Sequence, residues 1–452
     1  MKSINPATNQ LIQEYVGHDP KTVEEMINST HTAWVSWKNT GFAERAKLMA
    51  KAADVLQDNK ETYASLITAE MGKLIAEARA EIDKCSLVCR FYAENAEKML
   101  ADEIIETDYS KSFVAFQPLG IVLAVMPWNY PFWQVLRFAA PALMAGNAAV
   151  LKHASNVFGS ALKIEEVFVE AGFPENLFKT LLIPAGQVAD VIAHPLVKAV
   201  TLTGSEPAGS KVAELAGKEL KKSVLELGGS DPYLVMEDAD LNRCATTSIK
   251  ARTGNCGQTC IAAKRFIVVE SVAKEFEEQQ KKIMESLVIG DPTDESTQLA
   301  PMARPDLADE LHAQVEKSIA MGARLVTGGK KLDRPGSYYA PTILADVKKG
   351  MPAYDEETFG PVSAIITVKD EAEAIEVAND SRYGLGGSVW TADTERGERI
   401  ARQIETGTVV VNNMTVSNPK LPFGGVKKSG YGRELADYGI KEFCNIKTIC
   451  IQ

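Results

Sequence analysis

Histidine and cysteine are scarce, 5 and 7 in 452 residues. The histidines (His18, His31, His153, His194 and His312) show no HExxH spacing and no CxxC partner, so no metal centre is expected. An odd number of cysteines spread over a long chain does not form a secreted disulfide framework. Basic residues are in deficit, 49 Lys and Arg against 60 Asp and Glu, and a net charge of −11 excludes a phosphate-backbone binder, so no nucleic acid is expected as a partner. Long apolar runs are missing too. The most apolar stretch, GIVLAVMPWNYPFW, is interrupted by Pro127 and Pro131, and the opening MKSINPATNQLIQEY lacks the apolar centre of a signal peptide. The expectation is a cytoplasmic protein with no membrane partner. Finally, no GxGxxG follows a predicted strand, so the common dinucleotide fingerprint is absent.

What is present reads as a large soluble enzyme. A chain of 452 residues exceeds one hydrophobic core, and 45% hydrophobic with 24% charged residues is ordinary for a globular protein. From about 20 to 105, apolar residues recur at three and four, which predicts helices. Cys85 and Cys89 share one face there and read as packing residues. From 113 onward short β-rich runs alternate with helical ones, and a second such series begins near 227. This order predicts an α/β fold with two doubly wound parallel sheets. The C-terminal FCNIKTICIQ reads as a strand with no partner nearby in sequence, so pairing with another subunit is expected.

Three segments carry candidate chemistry. In TLTGSEPAGSKVAEL a β-run ends at Gly204 and Ser205 precedes a helix, a turn able to hold a phosphate on its amides. The Gly204 to Gly209 spacing imitates a phosphate loop, but Ser210 and Lys211 stand in the wrong order for a Walker motif. An ordinary strand-to-helix turn is the competing reading. In NCGQTCIAAKR, small polar residues precede Cys260 and the cations Lys264 and Arg265 follow, the surroundings of a reactive thiol rather than of a structural one. Glu226 is the only carboxylate in the β-forming run SVLELGG, where it is a candidate general base or merely a solvated strand-end charge. Asn129, between two prolines, is a candidate oxyanion donor.

Together PWNYP, LELGG, GQTC, EETFGPV and PFGGVKKSGYGRE, in that order over essentially the whole chain, resemble the aldehyde dehydrogenase superfamily. The resemblance implies an aldehyde-dehydrogenase-like fold. Residues 1–100 and 119–226 would form a Rossmann-like cofactor domain, 227–428 a catalytic domain, and 101–118 with 429–452 an oligomerisation arm. It implies a homodimer or homotetramer that oxidises a small-molecule aldehyde with NAD or NADP. Cys260 would be the nucleophile, Asn129 with the Cys260 amide the oxyanion hole, and Glu226 the residue that activates water. Trp128, Lys152, Ser155, Gly204, Ser205, Glu357 and Phe359 would contact the cofactor.

The family's KPAE reads KHAS here: Lys152 is kept and Ser155 replaces the carboxylate that binds the adenine ribose. Losing that charge removes repulsion of a 2′-phosphate, so NADP is expected to be preferred over NAD. The chain is most similar to the short succinate-semialdehyde dehydrogenases, which implies substrate contacts from Arg137 and Ser417. A cation in the apolar helix FWQVLRFAAPALMAG needs a counter-charge, supplied either by a substrate carboxylate or by a structural salt bridge. A second substrate arginine of some relatives is Gly254 here, with Arg252 nearby but out of register. Competing readings are broad medium-chain specificity, a CoA-acylating enzyme, disfavoured by retained Glu226, and a non-catalytic scaffold protein. Cys256 is either inert packing or a redox partner for Cys260.

Overall fold

The run Ile121–Met126 carries no polar side chain, which suits a strand covered on both faces, and the computed structural model, which describes residues 1–452, buries all of it but Val125. It lies inside a six-stranded sheet in the order Gly430–Tyr431, Lys222–Glu226, Val197–Thr203, Ile121–Met126, Ala148–His153, Phe178–Thr180. All neighbours are parallel except Gly430–Tyr431. Strand order reverses between Ile121–Met126 and Val197–Thr203, and ligands of such sheets lie beyond the carboxyl ends at that reversal. Those two ends run directly into Pro127–Asn129 and Gly204–Ser205.

A seven-stranded sheet is ordered Arg324–Thr327, Thr342–Ala345, Val362–Val368, Ala263–Val269, Asp231–Val235, Ser388–Trp390, Val410–Val411, with only the first strand antiparallel. Its side chains alternate between two cores: Leu234, Ile267 and Val389 join one apolar cluster, Tyr233, Phe266 and Val268 another. The period of two places those cores on opposite faces. The helices predicted before residue 105 are Pro20–Trp37, Phe42–Asp58, Lys60–Met71 and Ile75–Met99. They pack into the large core around the six-stranded sheet, Cys85 and Cys89 included.

The C-terminal strand departs from expectation. Cys444–Ile451 pairs antiparallel along its full length with Lys111–Pro118 of the same chain, which in turn pairs with Glu103–Ile104. Its partner is remote in sequence but brought alongside by the fold. One edge of the C-terminal strand stays open at the margin of this three-stranded sheet.

Candidate active site

Asn129 follows the carboxyl end of Ile121–Met126, and the turn after it starts the helix Trp133–Met144. That helix has no side-chain cap of its own. Glu81, from helix Ile75–Met99, supplies one: its carboxylate accepts from the N–H groups of Phe132 and Trp133 at 2.9 and 3.0 Å. Glu81 is itself neutralised by buried Lys73, whose ammonium lies 3.5 Å over the Tyr130 ring.

The nucleophile loop reaches the same place from the seven-stranded sheet. Asn255, Cys256 and Gly257 take consecutive left-handed backbone angles, φ 52°, 53° and 73°. Two non-glycine residues in that region are strained and persist only when their surroundings hold them. The restraints are visible. Glu77 accepts from Asn255 N–H at 3.0 Å, Arg252 donates to Gly257 O at 2.6 Å, and Asn255 Nδ2 donates to Asn129 O at 2.8 Å. At Gly257 any Cβ would strike Gly360 of EETFGPV at 2.4 Å, so two motifs distant in sequence interlock. Arg252 is thus a buried clamp on this loop, not a surface cation.

Asn129 Nδ2 donates to Gln258 O at 3.0 Å, and the N–H of Cys260 donates to no other group of the protein. Lys264 Nζ donates to the carbonyls of Thr259 and Cys260 at 3.1 and 2.6 Å and pairs with Glu357 at 3.1 Å. Arg265 turns away, donating to the carbonyls of Ser230, Val377 and Ala378. Only one of the two adjacent cations therefore acts on the thiol. Burial raises Cys260 to about 11, although Arg137 and Lys264 pull it downward. LELGG brings Glu226 and the loop together, since a Cβ on Gly229 would meet Cys260 O at 2.9 Å.

Glu226 is buried, and neither carboxylate oxygen has a hydrogen-bond partner in the protein. Burial, then the nearby Glu434, raise its pKa well above the usual carboxylate range, against the pull of Arg137. Arg137, 2% exposed, forms a buried ion pair with Glu434 and lies 4.7 Å over the Phe423 ring. The structural salt bridge weighed for Arg137 is therefore present. The pair is not an aligned hydrogen bond, because Arg137 Nε and both Glu434 oxygens remain without one.

Two cavities meet at Cys260 and Gln134. One, about 290 Å³, is lined by Trp128, Asn129, Gly204, Ser205, Glu226, Glu310, Glu357 and Phe359 among others. The Trp128 and Phe359 rings meet edge to face at 5.9 Å. Ser205 stands at the N-terminus of helix Glu206–Lys218 without using its hydroxyl as a cap. The other cavity, about 150 Å³, is lined by Lys84, Trp133, Arg137, Lys250, Ser417 and Phe423 among others. Lys152, one residue before the end of the strand Ala148–His153, is half-buried, and Ser155 is exposed on a separate groove that it shares with Lys2, Asn156 and Arg304. Cys256 sits in the apolar cluster with Leu234 and Met302, and burial pushes its thiol far up. Cys260 lies against the large core around the six-stranded sheet.

Sequence reasoning missed Lys84, Glu81 and Glu434. Glu434 is the last residue of the quoted motif PFGGVKKSGYGRE, which was a signal; Lys84 lies in DKCSLVCR, which offered none.

A thiol shared by two chambers, one opening on a strand-turn-helix at a sheet reversal, defines a nucleotide-dependent enzyme of the covalent thiol type. The aldehyde dehydrogenase family model matches residues 1–449, and the chain belongs to that family. It is 51% identical over 449 residues to a Synechocystis sp. protein named "probable succinate-semialdehyde dehydrogenase (NADP+)", covering 99% of each chain. It is 47% identical over 452 residues, again 99% of each, to succinate-semialdehyde dehydrogenase (NADP+) 1 of Mycobacterium tuberculosis. Among solved structures, the succinic semialdehyde dehydrogenase of Streptococcus pyogenes in complex with NADP+ superposes with TM-score 0.98 at 39% identity, covering 100% of this chain and 99% of that one.

Proposed function

We propose that this aldehyde dehydrogenase oxidises succinic semialdehyde to succinate with NADP, and NAD as the weaker cofactor. The observation that carries the substrate is the cavity beside Cys260. Its lining contains three cations, Lys84, Arg137 and Lys250, and no carboxylate, which suits an aldehyde with an anionic far end. The names of the relatives at 47% and 51% identity support the same reading.

The residues present fit the cofactor. Ser205 has an uncommitted hydroxyl at a helix N-terminus, Trp128 and Phe359 flank the larger cavity, and Lys152 has no carboxylate partner. Ser155 in place of an acid leaves room for a 2′-phosphate. When bound, NADP supplies a hydride acceptor.

Cys260 attacks the aldehyde carbon as its thiolate, the thiol proton having been released to solvent water, and the Asn129 amide with the Cys260 N–H stabilises the resulting oxyanion. Loss of hydride from that adduct leaves a thioester on Cys260. Glu226, buried with two free acceptor oxygens, takes a proton from water as it attacks the thioester. Arg137 and Ser417 line the substrate cavity beside Cys260. Residues 101–118 and 429–452, with exposed Ile104, Tyr438, Ile446 and Ile451, form the arm through which copies of the chain associate in the cytoplasm.

The test is kcat/KM for succinic semialdehyde against butanal, and for NADP against NAD. A preference of at least tenfold for the first of each pair is expected, and equal or reversed values would overturn the corresponding half. Arg137→Ala should lower the succinic semialdehyde value more than the butanal value; equal losses would reduce Arg137 to a structural ion pair.

A further inference from the structure

We propose that Lys84 is the cation that receives the anionic end of the substrate, holding it together with the hydroxyl of Ser417. The inference rests on the substrate reading above and deepens it.

Lys84 projects from helix Ile75–Met99 into the cavity that ends on Cys260. Its ammonium donates to Ser417 Oγ at 2.6 Å and lies 4.2 Å from the Trp133 ring centre. An ammonium has three donors, so others remain for a ligand. The remaining cations of the cavity are otherwise placed. Arg137 is already matched by Glu434, and Lys250 is exposed. Lys84 has no carboxylate within ion-pair distance. The charged or titratable groups around it are Arg137 on the Trp133 helix, Cys260 on the nucleophile loop, and Cys85 and Glu81 on its own helix. Glu81 is spent on Lys73 and on two backbone amides.

A cation in that position lowers stability until an anion joins it. Burial, and then Arg137, bring the Lys84 ammonium down to about 8. A substrate carboxylate would restore the balance without displacing any protein partner, whereas binding to Arg137 alone competes with Glu434. The competing structural role is a pin between the Ser417 loop and the helix, and the two roles differ in what they discriminate.

The experiment measures native enzyme, Lys84→Met and Lys84→Arg on succinic semialdehyde and on butanal. The ratio of the two kcat/KM values should fall about 10- to 100-fold in Lys84→Met, chiefly through KM for succinic semialdehyde, as expected for a lost charge-assisted hydrogen bond. Lys84→Arg should recover most of it. In the native enzyme KM for succinic semialdehyde should climb above pH 8 more steeply than KM for butanal, and Lys84→Arg should move that climb upward. A native enzyme with no preference for succinic semialdehyde overturns the substrate reading and this inference with it. A native preference that survives intact in Lys84→Met, or equal losses on both aldehydes, overturns this inference alone. Should Lys84→Met fail to fold, the same decision comes from the native pH profile and the Arg variant.

Discussion

The cavity on the Trp128 side of Cys260 is lined by Glu226, Glu310 and Glu357 with no lysine or arginine, whereas the cavity on the Trp133 side is lined by Lys84, Arg137 and Lys250 with no acid. The three cations come from three helices, Ile75–Met99, Trp133–Met144 and Leu241–Thr253. Two of the acids, Glu226 and Glu357, come from a strand end and a loop. Long basic side chains can reach a cavity from helices outside it, while a base must sit close to the reacting atoms. Under the proposed function that division of sign separates two tasks: the basic chamber would orient an anionic aldehyde, and the acidic chamber would handle protons and the cationic nicotinamide end of the cofactor. Cys260 belongs to both.

Removing the shared thiol should erase the comparison altogether. Cys260→Ala is expected to lose about 10⁴-fold or more of its NADPH production while still binding NADP by calorimetry. Substantial residual turnover would move the nucleophile elsewhere. Glu226→Gln should break only the acidic chamber. Steady turnover should fall about 10²- to 10⁴-fold, yet a rapid burst of NADPH stoichiometric with enzyme should persist, because only thioester hydrolysis is blocked. Absence of the burst would assign Glu226 to an earlier step. Asn129→Ala should cost about 10²- to 10³-fold in kcat, with KM for the aldehyde changed much less.

The smallest effect concerns the thiol itself. With Cys260 raised to about 11 from its ordinary value near 9, the thiolate is the minor form at neutral pH and grows about tenfold per pH unit. Alkylation of the free enzyme by iodoacetamide, followed by peptide mass spectrometry, should accelerate through pH 10 at Cys260 and leave buried Cys256 unmodified. A plateau near pH 8 would show that the cations outweigh burial.

Much of the site was legible in the residues alone. Cys260, Glu226 and Asn129 stand in short segments whose neighbours, glycines and prolines, announce tight backbone, and the structure gathers all three around one cavity. The alternation of strand and helix also announced two parallel sheets. Less was legible where a partner lies far along the chain. The C-terminal strand looked orphaned because Lys111–Pro118 is more than three hundred residues away. Arg265 looked like a cation for the thiol because it is near in sequence, but strand alternation sends it to the opposite side from Lys264. Lys84 sits on an amphipathic helix with no local pattern to single it out, and its neighbours Ser417 and Trp133 come from distant segments.

By itself, then, the amino-acid order determined the fold class, through local periodicity, while the family resemblance carried by its motifs implied Cys260 as the nucleophile and the loss of an acid at Ser155. Only the tertiary structure decided which cations are already paired. Arg137 has Glu434 and Lys264 has Glu357, while Lys84 has no acid within reach. Charge balance in a buried site is a sum over side chains from distant segments, and no local pattern of sequence carries that sum.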